Sequence, residues 1–481
     1  MLDSIISHIN DYLSTYVLVI ILVLGGLFFT IRTKFVQFRM LKEQFRCVSE
    51  KPKAKGSVSS FQALMVSTAS RVGTGNIIGV AGAICAGGFG SVFWMWIIAI
   101  IGSASAFVES TLAQIFKKKG IDGCYGGPAY YISSALKCRW LAVVFSVILI
   151  LTYGVGFNML ASYNLQSTFS WNESFYKLDV NVHWMGADIS FNAMPHIIGL
   201  VVACLVAFCL FGGGKRIVNA TTLIVPVMGI AYILVALVVT LINIPQLPSV
   251  FQKIFSEAFD FKAVFGGFTG SCIMYGIKRG LFSNEAGVGS APNASASAEV
   301  SHPVKQGLVQ VLSVFIDTLL ICTATAFMCM CSGVDPASCS SDAQYVQDSL
   351  RVTLGDVGPI FIMVAMVLFA FTTLLGNLFY VDKAFSFILK KEPGKKFRTV
   401  YYIIASLLIF VGAGQESSLL WGISDILMGL MVLINIPVLV ILGKYAYRAL
   451  SDYNKQRKEG KDPVFKSKSI SLPVKTDYWN D

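Results

Sequence analysis

Along this chain the polar residues gather in short clusters between long apolar runs, and the runs have the length of bilayer crossings. A helical crossing needs roughly 20 apolar residues at about 1.5 Å of rise each. Eleven runs qualify, at about 14–31, 61–86, 89–116, 140–168, 194–212, 217–244, 263–298, 304–331, 356–388, 399–413 and 417–442. The tenth is short for a crossing. The pattern predicts an all-α integral membrane protein with 11 transmembrane helices. No stretch between runs is long enough for a soluble domain. The longest loop on the outer side, Trp171 to Pro195, has room for a short helix or hairpin.

Two runs carry interruptions. In the second, Val72-Gly73-Thr74-Gly75-Asn76 sits mid-run, and each glycine costs a helix roughly 1 kcal/mol relative to alanine. In lipid, broken backbone survives only where it is buried in protein or lines a cavity. The seventh run, Phe265-Gly266-Gly267-Phe268-Thr269-Gly270-Ser271 onward, is glycine-rich and too long. As one helix it would reach about 50 Å, against a core of roughly 30 Å. Strong tilt or a break must absorb the excess, and the glycines and Asn284 favour a break, near Gly270 or near Asn284. The first break has a weak echo in Val288-Gly289-Ser290-Ala291-Pro292-Asn293.

Interrupted helices in matching positions of two halves point to an inverted repeat, and to a carrier. Five spans separate the two, and five is odd, so the second half must insert upside-down relative to the first. The division predicted is 1–56 for an extra N-terminal helix and a basic loop, 57–250 for the first five-helix repeat, 251–445 for the second, and 446–481 for a basic tail. That tail is polar and is expected to be poorly ordered, a lipid-facing anchor.

Composition agrees: 55% of residues are hydrophobic and 14% charged, against about 25% charged in soluble chains. The net charge of +11 belongs to topology rather than to nucleic acid. With the N-terminus outside, alternating spans put Arg32 to Lys55, Lys117 to Lys119, Lys137, Arg139, Lys215, Arg216, Lys390 to Arg398 and the tail in the cytoplasm. The outside loops keep Lys177, Lys253, Lys262 and Arg351. This bias predicts N-out and C-in insertion in the plasma membrane. The acidic start (Asp3, Asp11) is not the basic head of a cleaved signal. Eleven cysteines, an odd count, argue against a disulfide framework, although Cys331 and Cys339 flank one outside loop.

Unwound backbone in the two broken spans exposes amide N–H groups that favour a carboxylate and carbonyls that favour a small hard cation. A zwitterionic amino acid with a companion ion suits such a site. Thr74 adds a hydroxyl. In the ninth span, Phe371-Thr372-Thr373-Leu374-Leu375-Gly376-Asn377 offers one threonine to an ion while its neighbour, with Asn377 one turn on, faces a pocket. The competing reading turns those hydroxyls back on their own helix. Charges inside spans are functional suspects: Arg71, Glu109, Lys278, Arg279, Glu285 and Asp317. Arg71 is expected to pair with an acidic neighbour such as Glu285 or to reach toward the cytoplasmic surface, with direct contact to the substrate carboxylate as the alternative. No phosphate-binding loop is present, so ATP is not expected as the energy source. The four scattered histidines make no metal or catalytic site, and no enzymatic activity or cofactor is expected.

Phe93-Trp94-Met95-Trp96, Gly126-Gly127-Pro128-Ala129-Tyr130-Tyr131-Ile132 and above all Arg279-Gly280-Leu281-Phe282-Ser283-Asn284-Glu285-Ala286-Gly287-Val288-Gly289-Ser290-Ala291-Pro292 join the first break in resembling the alanine or glycine:cation symporter family. The resemblance spans roughly 57 to 440. It implies sodium-coupled, in some members proton-coupled, amino-acid uptake and a 5+5 inverted repeat of leucine-transporter type. On that basis sodium would lie against Ala69, Val72, Thr372 and Thr373. Substrate would lie against Gly73, Thr74, Gly75, Asn76, Phe268, Gly270, Thr373 and Asn377, with Asn284 a rival to Gly270. The family usually has tryptophan where this chain has Asn377, which implies a larger, more polar pocket and a substrate such as glutamine or asparagine. The alternatives are a proton-coupled carrier using Glu109, Glu285 or Asp317, and a channel.

Overall fold

In a computed structural model, the described residues are 10, 12–50, 57–120, 123–184, 187–260, 271–472 and 474–479. The structure is built of helices in the order the apolar runs predict. α1 (Val19–Arg32) leads into an elbow and α2 (Leu41–Val48). α3 (Ser60–Arg71) and α4 (Ile78–Gly87) are the halves of the first broken span, followed by α5 (Gly90–Ile115). Then come α6 (Arg139–Ser167), α7 (Met194–Leu210) and α8 (Gly213–Ile242). α9 (Cys272–Asn284) and α10 (Pro303–Met330) follow, then α11 (Asp342–Leu354), α12 (Val357–Leu389), α13 (Lys395–Ala413) and α14 (Ser417–Lys458). Among the described residues, seven of these helices are long and apolar enough to cross a membrane. The tenth apolar run, short by sequence, is a 19-residue helix that starts at Lys395. The loop after α6 holds a one-turn helix and the antiparallel hairpin β1 (Asp179–Trp184) and β2 (Ala187–Asn192).

Local chemistry explains the ends that matter. Ser59 and Gln62 form a reciprocal capping box at the start of α3, with Ser59 Oγ accepting from the Gln62 amide at 3.1 Å. α5 is the spine: it packs along α1, α9 and α10. Gly26 of α1 allows the close approach, since a Cβ there would come within 2.9 Å of Ile101. All eleven cysteines are free, Cys331 and Cys339 included. The pairing that their loop invites does not form.

The tail corrects its expectation. α14 continues past the apolar run to Lys458, and the chain then folds back onto the end of the bundle. Phe465, Ile470 and Trp479 are buried. Trp479 Nε1 donates to the Gln114 carbonyl at 2.8 Å. Lys117 donates to the Ala298 carbonyl at 2.9 Å and lies 3.8 Å from the centre of the Tyr478 ring. Burial lowers the pKa of its ammonium to about 8. Asp462 bridges Arg46 and Lys305 at 2.9 and 3.0 Å. Aromatic residues spaced through a polar composition supplied anchors that mean hydropathy averages away.

His302 ties this layer together. It caps α10, with Nδ1 accepting from the Val304 amide, and its Nε2 faces Asp452 at 3.3 Å. Tyr453 and Phe465 pack edge-on against the ring, and Lys305 adds a repulsive charge. Burial outweighs the Asp452 contact and pushes the imidazole below its ordinary pKa. A base with a lowered folded pKa contributes stability that is intact above the unfolded value, about 6.5, and is lost as pH falls through the folded one. The purified protein should therefore melt earlier as pH drops from 7.5 to 5, because protonation removes the Nδ1 acceptor. His302→Asn should flatten that dependence; an unchanged slope in the variant counts against the assignment.

Candidate functional site

α3 ends because Val72 leaves helical geometry and Gly73 is extended, at φ −143° and ψ −154°. The Gly73 amide donates to Asn76 Oδ1 at 2.8 Å, inside a single 3-10 turn, Thr74–Asn76. That turn redirects two helical bonds. The Gly73 N–H goes to Asn76 rather than to the Ala69 carbonyl, and the Asn76 N–H goes to Gly73 O rather than to the Val72 carbonyl. Two buried carbonyls at the end of α3 are thus released from their helical partners, the kind of group that suits a small cation.

The second break follows α9. Glu285 adopts a left-handed conformation at φ 52°, and Gly287 and Gly289 continue at φ 86° and 91°, where glycine is favoured. Helix resumes only at the short Pro292–Ser295 segment. The seventh apolar run therefore stops at Asn284, whose Oδ1 caps the Ala286 amide at 3.0 Å while its Nδ2 is buried without a partner. Phe268 and Gly270 lie outside the described residues.

The breaks touch. Ser70 Oγ shares its one proton between Asn377 Oδ1 at 2.7 Å and Glu285 Oε1 at 3.1 Å, and Asn76 Nδ2 donates to Ser283 Oγ at 2.9 Å. Gly75 faces Phe282 so closely that a Cβ would come within 2.8 Å of the ring. α12 closes the third side. Gly376 lets it approach Ser70, where a Cβ would meet the backbone nitrogen at 2.7 Å. One turn earlier, Thr373 stands against Gly73, with its Oγ1 buried and unpartnered. Thr372 turns the other way and bonds its own helix, to the Leu368 and Phe369 carbonyls at 3.0 and 3.1 Å. Its donor is used, as the competing reading has it, while its oxygen keeps a lone pair free.

Several predicted site residues come together here, and not all are free. Asn76 is fully engaged: besides Gly73 and Ser283, it donates to Asp317 Oδ1 at 2.7 Å. Asn377 accepts from Ser70 Oγ at 2.7 Å and donates to Asn158 Oδ1 at 2.9 Å. Thr74 accepts from Asn164 Nδ2 at 3.2 Å, leaving Asn164 Oδ1 and Asn158 Nδ2 buried and unpartnered. Both of these α6 asparagines escaped the sequence reading. No motif marks them, although a polar residue at helical spacing in an apolar span was the available signal.

Arg71 corrects an expectation. It is 2% exposed, so it does not reach the surface, and it makes no ion pair within 4 Å among the described residues. Its Nη1 donates to the Gln310 side chain at 3.0 Å, and its Nε and Nη2 have no partner. Glu285 instead holds Ser70 and Ser290, because its left-handed backbone turns the carboxylate to them. Glu109 accepts from the Gly287 amide and Asn435, and Asp317 from Asn76, Ser283 and Thr318. Three buried carboxylates are therefore held by neutral donors around one buried guanidinium.

Beside Gly75, Phe157, Phe282 and Trp421 form a continuous aromatic wall, with ring centres 4.6 and 4.7 Å apart. The Arg279 guanidinium stacks 3.7 Å from the Trp421 centre. Arg279 and Lys278 both reach Asp425 of α14, at 3.3 and 2.9 Å. Asp425 escaped the sequence reading because its partners lie about 146 residues away.

A family model described as the sodium:alanine symporter family matches residues 1–467. The amino-acid carrier protein AlsT of Bacillus subtilis is 43% identical over 479 residues, covering 100% of this chain and 98% of AlsT. The probable sodium/glutamine symporter GlnT of the same organism is 42% identical, over 97% of this chain and 93% of GlnT. A sodium/proton-dependent alanine carrier protein of Bacillus sp. strain PS3 is 33% identical, over 91% and 97%. Among solved structures, MhsT in complex with L-phenylalanine superposes with a TM-score of 0.57 at 14% identity, over 83% of this chain and 93% of MhsT. At that identity the likeness shows the fold, which is of the leucine-transporter type.

Proposed function

We propose that this chain, which belongs to the sodium:alanine symporter family, uses a sodium gradient to take up a small neutral amino acid by alternating access. It is a multi-pass plasma-membrane protein of an amino-acid symporter family. The observation that carries the finer reading is the meeting of two broken spans against Thr373, all of it buried. The amides of Thr74 and Gly75 and the Thr74 hydroxyl suit the substrate carboxylate, while Asn76 holds the Gly73 amide and fixes the turn that presents them. The released carbonyls of Ala69 and Val72, with the oxygens of Thr372 and Thr373, suit sodium. The repeat halves 57–250 and 251–445, inserted N-out and C-in, give the two breaks their opposed directions. The aromatic wall and the Arg279–Asp425 pair close the outward side of the site.

Substrate choice rests on Asn377. With the spare amide groups of Asn158 and Asn164, it offers polar contacts to a side chain longer than that of alanine, in the glutamine or asparagine class. GlnT is named a probable sodium/glutamine symporter, which agrees with this class. Uptake into proteoliposomes across all twenty amino acids tests the reading. A sodium gradient should concentrate alanine and glutamine together. Strict alanine and glycine selectivity removes the role given to Asn377. Uptake driven by a proton gradient alone shifts coupling to the buried carboxylates Glu109, Glu285 and Asp317. Failure to concentrate any substrate would leave a channel.

A further inference from the structure

A wide cleft that the transport site does not use lies at the basic end of the bundle, far from the breaks. It occupies about 1210 Å³ between the end of α1, the elbow after it, and the extension of α14 beyond the apolar run. Seven basic and two acidic side chains line it. Both acids are already taken: Glu43 holds Arg457 at 2.9 Å, and Glu459 holds Lys461 at 2.7 Å. Lys34, Arg39, Lys42, Lys455 and Lys458 therefore have no carboxylate partner among the described residues.

A general bias of basic loops toward the cytoplasm explains the presence of these charges but not their convergence. Like charges repel, and five unpaired cations facing one concave space are tolerated where an anion completes the site. The backbone adds a second observation. Lys34 and Phe35 both sit at φ 55°, in the left-handed region that side chains rarely adopt. Two such residues in succession mark a turn held in shape for a reason other than local preference.

The walls indicate what the anion is attached to. Phe38 and Leu41 line the cleft, and Phe35 and Phe45 flank it, each 42–58% exposed. These side chains begin where Arg32 ends the first span, so their apolar faces are offered at the depth of the lipid boundary. Free phosphate in water has no use for that apolar rim, whereas acyl chains do.

We propose that this cleft binds an anionic phospholipid, with its phosphate among Lys34, Lys42 and Lys455 and its acyl chains along Phe38 and Leu41. Basic pockets between membrane helices on the cytoplasmic side suit such headgroups.

Native mass spectrometry of the purified full chain tests this, by titration with phosphatidylglycerol and with phosphatidylcholine of the same acyl chains. Phosphatidylglycerol should bind at least tenfold more tightly. Each lysine near the surface contributes roughly fivefold, so K34Q/K42Q/K455Q should weaken binding by about 100-fold. Lys42→Gln alone should cost about fivefold, which keeps the test decisive if the triple variant folds poorly. Removing the same charge elsewhere, in K390Q/K391Q/K395Q, should change nothing. Equal loss in that control, or equal affinity for the two lipids, overturns the site. Displacement of the lipid by glycerol phosphate at comparable concentration overturns the lipid as its ligand and assigns the cleft to a soluble phosphate.

Discussion

Gly73→Ala should slow sodium-driven uptake in proteoliposomes by at least tenfold while leaving the protein in the membrane. An added Cβ overlaps Thr373 Oγ1 and also approaches the Thr373 Cβ to 3.1 Å and its methyl to 3.2 Å. Threonine is stiff about χ1. Rotation that takes Oγ1 off the added carbon also takes the hydroxyl out of the break, and it leaves the Thr373 Cβ at 3.1 Å. α12 can retreat only by giving up its close approach to Ser70 at Gly376. Overpacking of this kind costs about 1–3 kcal/mol, and here the cost falls on the geometry that joins the first break to α12. A control separates it from a generic glycine effect. Gly229, inside α8, has open space around an added Cβ, so Gly229→Ala should leave uptake unchanged and raise the melting temperature slightly. Wild-type uptake by Gly73→Ala would mean that Thr373 and the break do not act as one unit.

Why was this pair partly legible in the sequence and much of its surroundings not? Glycines in an apolar run stand out because helix propensity is a local property, and lipid leaves few alternatives for broken backbone. The break at Gly73 and the stop near Asn284 were both accessible that way. Thr373 was singled out by its position one turn before Asn377. Pairing across the fold is a different matter. The expectation that the two interrupted spans lie together suggested Glu285 for Arg71, yet the left-handed turn at Glu285 directs its carboxylate to Ser70 and Ser290, and Gln310 receives the arginine. Asn76 read as a free ligand group, whereas the structure uses it to clasp the break to Asp317. Asn158 and Asn164 were passed over because polar residues in a span carry no motif, and their spacing along one helix was the only signal. The tail misled through its composition, since Phe465 and Trp479 are too few to lift an average but large enough to anchor a segment.

Asp425→Ala should be the most destabilising single substitution outside the two breaks. The carboxylate is 1% exposed and answers two cations, Lys278 and Arg279, whose side chains are 7% and 11% exposed. Removing one partner from a buried ion pair leaves an uncompensated charge and costs about 3–5 kcal/mol. Burial this deep leaves little solvent screening to soften that figure. Arg279 keeps its stacking on Trp421, but stacking does not neutralise it. Thermal melting of the detergent-purified protein measures the loss. The triple variant K278M/R279M/D425L then distinguishes two contributions. Replacing a whole buried ion network with apolar groups of similar size is often neutral or stabilising, so the melting temperature should recover most of the way. Transport should not recover, because α9 and α14 would be held together by apolar contact that does not release when the outward side must open. Recovery of both would make the network purely structural and remove it from the closure proposed for the outward side.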